Sequence, residues 1–169
     1  MRHPFAAILL VAAVVGCGKK ADKVVWTPVD IPIQTPWAAE VSPANAHPEY
    51  PRPQMVREQW ASLNGLWDYA VTEADAPQPK EWDGQILVPF CIESSLSGVG
   101  RRVSSEEALW YSTTFKVPSA WKRQRVMLNF EAVDWAADVY VNDQLAGHHT
   151  GGYTAFSFDN DFKPFGFGP

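Results

Sequence analysis

Few groups in this 169-residue chain have residue types spaced for chemistry. His148-His149 offers two imidazoles. Adjacent histidines without a Cys or a spaced carboxylate make poor ligand geometry, so no metal site is expected there. Asp159-Asn160-Asp161 begins like a calcium loop, but Pro164 stands where such a loop needs Gly. Gly98-Val99-Gly100 has no helix after it to point N–H groups at a phosphate. Glu106-Glu107 reads as a solvated loop. Cys91 has no evident base partner and reads as a small buried hydrophobe. None of these groups implies a cofactor, and none makes a catalytic set.

The elements that would position a site are short strands. Val126, Leu128 and Phe130 alternate with Met127 and Asn129, the period of a strand with one buried face. Val139-Tyr140-Val141 is a second apolar run. Asn142-Asp143 follows with turn chemistry, so Ala137 to His149 reads as a β-hairpin. Gly151-Gly152 breaks the chain before Phe156 and Phe158 alternate again. Upstream, Met55 to Leu63 has the spacing of a short helical turn. Leu66 to Thr72 alternates, with Leu66, Asp68 and Ala70 on one face and Trp67, Tyr69 and Val71 on the other. Ile86 to Phe90 is a short buried strand stopped by Pro89, and another strand runs from Leu109 to Val117. Fourteen prolines oppose long helices. Short strands, many turns and little helix give an all-β sandwich.

The residues from Phe130 to Asp159 carry a resemblance. Phe130, Ala132 to Trp135, Ala137, Val139 to Asn142, Gly147, His149, Gly151 to Thr154 and Phe156 to Asp159 stand in the order found in the N-terminal sugar-binding domain of glycoside hydrolase family 2. This is the β-galactosidase and β-glucuronidase family. The blocks LNGLWDY at Leu63 to Tyr69 and VPFCIESSLSGV at Val88 to Val99 extend the similarity upstream. The resemblance implies a galactose-binding-domain-like jelly-roll β-sandwich of two antiparallel sheets. It also implies carbohydrate as a partner.

Family 2 enzymes are retaining glycosidases, in which two carboxylates about 5 Å apart act as acid/base and nucleophile. In the family both sit on a (β/α)₈ barrel, which needs about 250 residues. The resemblance therefore implies no catalytic residue in this chain and a missing downstream catalytic barrel as its partner. NDFKPFGFGP, from Asn160 to Pro169, fits no strand. The expectation is a sandwich lacking its final strands, marginally stable and inactive alone. In galactosidases an Asn and an Asp contact the sugar; Ser112 and Gly151 stand at those positions, so galactose contacts are not reproduced. The carbohydrate-contact candidates are Ser112, Asp134, Trp135 and His149. An indole face can stack on a sugar or fill a core. The core reading is favoured for Trp110, and both stay open for Trp135, beside Asp134.

The N-terminus reads as a targeting segment. Met1-Arg2-His3 is basic, and Phe5 to Val15 is apolar but too short to span a bilayer. Val14-Val15-Gly16-Cys17 resembles the bacterial lipobox. The expected order is a lipoprotein signal peptide over 1–16, lipidation at Cys17 with a tether over 17–25, a Pro-rich segment over 26–53 docked on the sandwich, and the sandwich over 54–169. The location that follows is the bacterial cell envelope, on a membrane through the lipid anchor. Net charge is −5 with no cluster of Lys and Arg, so nucleic acid is not an expected partner. Two readings remain open: the accessory sandwich of a secreted glycosidase, or a self-standing carbohydrate-binding or interaction lipoprotein.

Overall fold

The computed structural model describes residues 6–11, 25–31, 33–121 and 124–159. Eight strands follow in chain order: β1 Ala6–Val11, β2 Gly65–Glu73, β3 Gly84–Val88, β4 Glu107–Thr113, β5 Met127–Phe130, β6 Ala136–Val141, β7 Gln144–Thr150 and β8 Phe156–Asp159. The only helical pieces among the described residues are short 3-10 turns. The chain divides into two units. One holds β1, Asp68–Gly84 and the described residues from Val103 onward. The other holds the described residues from Val25 to Trp67 and Gln85–Arg102.

In the first unit, β2, β4, β1, β6 and β7 lie side by side in that order. β2 and β4 are antiparallel, as are β6 and β7. β1 runs parallel to both of its neighbours, with Leu9 level with Tyr111 on one side and Val139 on the other. The expected hairpin is present. Asn142 and Asp143 take φ of 49° and 61°, as a two-residue turn between twisted strands requires. A bulge follows, because Val139 faces Gly147 while Tyr140 faces Leu145.

β5 and β8 pair antiparallel as a second layer, with Leu128 opposite Phe158 and Phe130 opposite Phe156. Arg125 donates from Nε to Asp159 Oδ2 at 2.9 Å beside this pair. Ala137, Val139 and Val141 are buried along β6. On β7, Gly147 has the Phe158 ring where its Cβ would stand, 2.3 Å away. Only glycine lets the two layers approach this closely. The chain is all-β and the sandwich expectation holds. Trp110 is a core residue, 4% exposed, packed with Ala70 and Ala108 against Trp82. Its indole N–H donates to Thr72 Oγ1 at 3.0 Å, which removes the cost of burying an unpaired donor.

In the second unit, irregular chain is tied down by side chains. Val29 N–H donates to the Ser95 carbonyl at 3.0 Å, and the Ser95 hydroxyl donates back to the Val29 carbonyl. Gln34 Nε2 donates to Ser95 Oγ at 3.1 Å. Trp26 lies against Gly98 and Val29 against Gly100, where a Cβ would meet them at 2.8 Å and 3.1 Å. The Gly-Val-Gly pair thus makes room for the Pro-rich segment.

Three local expectations are corrected. The helical turn expected over Met55 to Leu63 is absent: helical geometry is confined to the 3-10 turn Pro53–Met55, and Val56 ends it with an extended ψ of 134°. In β2 the buried residues are Gly65, Trp67 and Ala70, so the alternation changes phase between Trp67 and Ala70. Cys91 is exposed rather than buried, because it lies in a turn just after β3, where Phe90 N–H donates to the Leu87 carbonyl. Ala6–Val11, within the Phe5 to Val15 run expected as the core of a signal peptide, forms β1. Cys17 and the residues after Asp159 lie outside the described residues.

Candidate functional site

At one end of the β6–β7 hairpin two loops meet. The first, Glu131 to Trp135, leads into β6; the second, Gly151 to Ala155, leaves β7. Gly151 N–H donates to the Trp135 carbonyl at 2.7 Å, extending the ladder into the loops. Gly151 adopts φ +122°, which L side chains rarely take. The Asp134 carboxylate lies where a Gly152 Cβ would stand, with Oδ1 at 2.4 Å from that point. The Gly151-Gly152 pair therefore serves both the turn and the close approach of Asp134. The Asp134–Trp135 peptide bond is cis.

The two loops carry three exposed side chains, Asp134, Trp135 and Tyr153. Trp135 is 52% exposed and Tyr153 is 98% exposed, and Asp134, next to Trp135, is exposed too. His149 sits one ladder step away, opposite Ala137. Its ring stacks on Phe156 at 4.1 Å between centroids, and Phe156 stacks on Phe130 at 4.9 Å. His149 Nε2 lies 3.0 Å from Thr154 Oγ1, so the imidazole braces the second loop. His148 points to the other face, as successive strand residues do, and its Nδ1 lies 2.6 Å from Asp138 Oδ1.

The structure brings Asp134, Trp135 and His149 to one end. It does not bring Ser112 there. Ser112 is 9% exposed on β4, opposite Asp68, and the register through β1 sets it level with Tyr140. At about 3.3 Å per residue, that is more than 10 Å along the sheet from the start of β6. Sequence reasoning missed Tyr153. Its signal was its place just after Gly151-Gly152, where a large aromatic has no strand to bury it.

The model of the sugar binding domain of the family 2 glycosyl hydrolases matches residues 60–165. The chain belongs to this family. A β-galactosidase of Thermoanaerobacter pseudethanolicus is 48% identical over 50 residues, which are 30% of this chain and 7% of that protein. A β-glucuronidase of Bacteroides fragilis is 39% identical over 103 residues, 57% of this chain and 13% of that protein. A solved β-glucuronidase of Bifidobacterium dentium, complexed with coumarin-3-O-glucuronide, is 32% identical with a TM-score of 0.43, covering 57% of this chain and 16% of its own. The chain thus spans under a fifth of the length of each relative. The family 2 domain accounts for β2 to β8.

Proposed function

We propose that this chain is the carbohydrate-binding accessory sandwich of a secreted β-glycosidase, held to the cell envelope through lipid on Cys17. Hydrolysis of the O-glycosyl bond is the work of a catalytic barrel outside these 169 residues. The observation that carries the binding role is that Asp134, Trp135 and Tyr153 are exposed on two loops joined by the Gly151-to-Trp135 hydrogen bond. Indole and phenol faces take the C–H face of a pyranose, and a carboxylate accepts from its hydroxyls. The names of the relatives, β-galactosidase and β-glucuronidase, support a β-glycoside as the ligand class.

The test uses the purified full chain in two assays. Aryl β-galactoside, β-glucuronide and β-mannoside should release no chromophore above blank; turnover that survives repurification refutes the division of labour. Saturation-transfer NMR should show glycoside binding that Trp135→Ala weakens by about tenfold, the scale of one aromatic stacking contact. Binding indifferent to Trp135→Ala removes this end of the hairpin from the function.

A further inference from the structure

Within the second unit the segment from Trp37 to Glu49 folds into a small cup closed by Phe90. A 3-10 turn over Pro36–Glu40 opens it, with Val41 N–H returning to the Ala38 carbonyl. Asn45 Nδ2 donates to the Glu40 carbonyl at 3.0 Å and ties the far side of the loop to that turn. Ala46 is buried and anchors the loop. His47 then takes φ +50°, a left-handed conformation uncommon for residues other than glycine. Asn64 Nδ2 holds this turn by donating to the His47 carbonyl at 3.1 Å. The turn sets the imidazole over Phe90, 5.8 Å between centroids, and its Nδ1 3.2 Å from Glu49 Oε1.

The cup is open to solvent and holds about 190 Å³. That is below the roughly 300–1,000 Å³ of pockets for drug-sized ligands and suits a single ring. Its apolar part comes from Phe90, Pro48 and the indole of Trp37, which is 68% exposed. Its polar part is Glu40, Asn45, His47 and Glu49, so two acidic residues line it. The Glu49 carboxyl is held below the usual carboxylate range, first by its own backbone N–H and then by His47.

We propose that this cup is a second carbohydrate subsite, and that it takes an uncharged pyranose. A flat exposed indole beside clustered acceptors matches a ring with one apolar face and several hydroxyl donors. A sugar carboxylate would bring a third negative charge against Glu40 and Glu49, so uronic acids are excluded. A quaternary ammonium would use the carboxylates and the indole but would leave the donor capacity of His47 unused. The subsite shares no residue with the Trp135 end, and all of its lining residues but Phe90 precede residue 60, where the family match begins. Its existence therefore does not depend on the reading of that end.

The experiment is calorimetric titration of the full chain in a Trp135→Ala background, so that the hairpin end does not contribute. The probes are methyl β-D-glucopyranoside, methyl β-D-galactopyranoside, methyl β-D-glucuronide and tetramethylammonium chloride. Saturable binding of a neutral glycoside is expected, with the glucuronide bound at least about tenfold more weakly. Adding Trp37→Ala should weaken neutral binding by about tenfold, and Glu49→Gln by about fivefold. Both side chains are exposed, and near-ultraviolet circular dichroism checks that each variant keeps its fold. The proposal is overturned by a preference for tetramethylammonium or the glucuronide, by neutral binding indifferent to both substitutions, or by no saturable binding of any probe.

Discussion

Two exposed tryptophans beside carboxylates are held in opposite ways. Trp135 stands at the end of a strand. Its position follows from the β6–β7 ladder, the Gly151-to-Trp135 hydrogen bond and the aromatic stack under β7. Trp37 stands on irregular chain. Its position follows from a turn of five residues and a few side-chain bonds to backbone carbonyls. A ladder spreads a local loss over many backbone bonds. A loop pinned by single side chains has no such reserve, so each pin there should matter locally and little elsewhere.

The largest expected effect is at the ladder end. Gly147→Ala puts a Cβ 2.3 Å from the Phe158 ring and pushes β8 away from β7. Overpacking costs about 1–3 kcal/mol, against a gain of about 0.4–1 kcal/mol from a less flexible unfolded chain. The net result should be a lower urea midpoint and faster amide exchange at Phe156 and Phe158. An unchanged midpoint would mean that the two layers do not press on each other at this glycine.

A smaller effect is expected at the pinned end. Ser95→Ala removes the hydroxyl that bonds to the Val29 carbonyl and accepts from Gln34. The loss is about 1 kcal/mol. Limited proteolysis should then cut the Pro-rich segment near Val29 sooner, while amides of Ala137 and Val139 exchange as before. Equal acceleration in both units would erase the contrast.

The smallest effect is a titration. Glu49 has its carboxyl pKa lowered from an ordinary 4.5, chiefly by its own backbone N–H. Its contribution to stability is present above that ordinary value and is lost as pH falls through the lowered one. The NMR midpoint of the Glu49 carboxyl carbon should lie below 4.5. His47→Ala should recover only the lesser part of the shift. Full recovery would make the imidazole, not the backbone, the main pin.

What was legible in the sequence was local. Asn142-Asp143 between apolar runs announces its hairpin, and Leu128 and Phe130 announce their strand, because turn chemistry and period two act over neighbours. The level of one strand against another is not written locally. The family pattern named both Ser112 and Trp135, but only the register through β1 separates them along the sheet. Cys91 read as buried because its composition is apolar, while its exposure is decided by the turn after β3. The cup at Trp37 was hidden for a similar reason, since Phe90 closes it from more than forty positions away.

The place of β1 has a consequence in time. All six of its residues pair with β4, and five of them, Ala7 to Val11, also pair with β6. Both partners lie roughly a hundred residues or more downstream, so these contacts belong to the slow, non-local class. The middle of this sheet can therefore close only after β4 and β6 have both been made, and the first strand in the chain waits longest for its second neighbour.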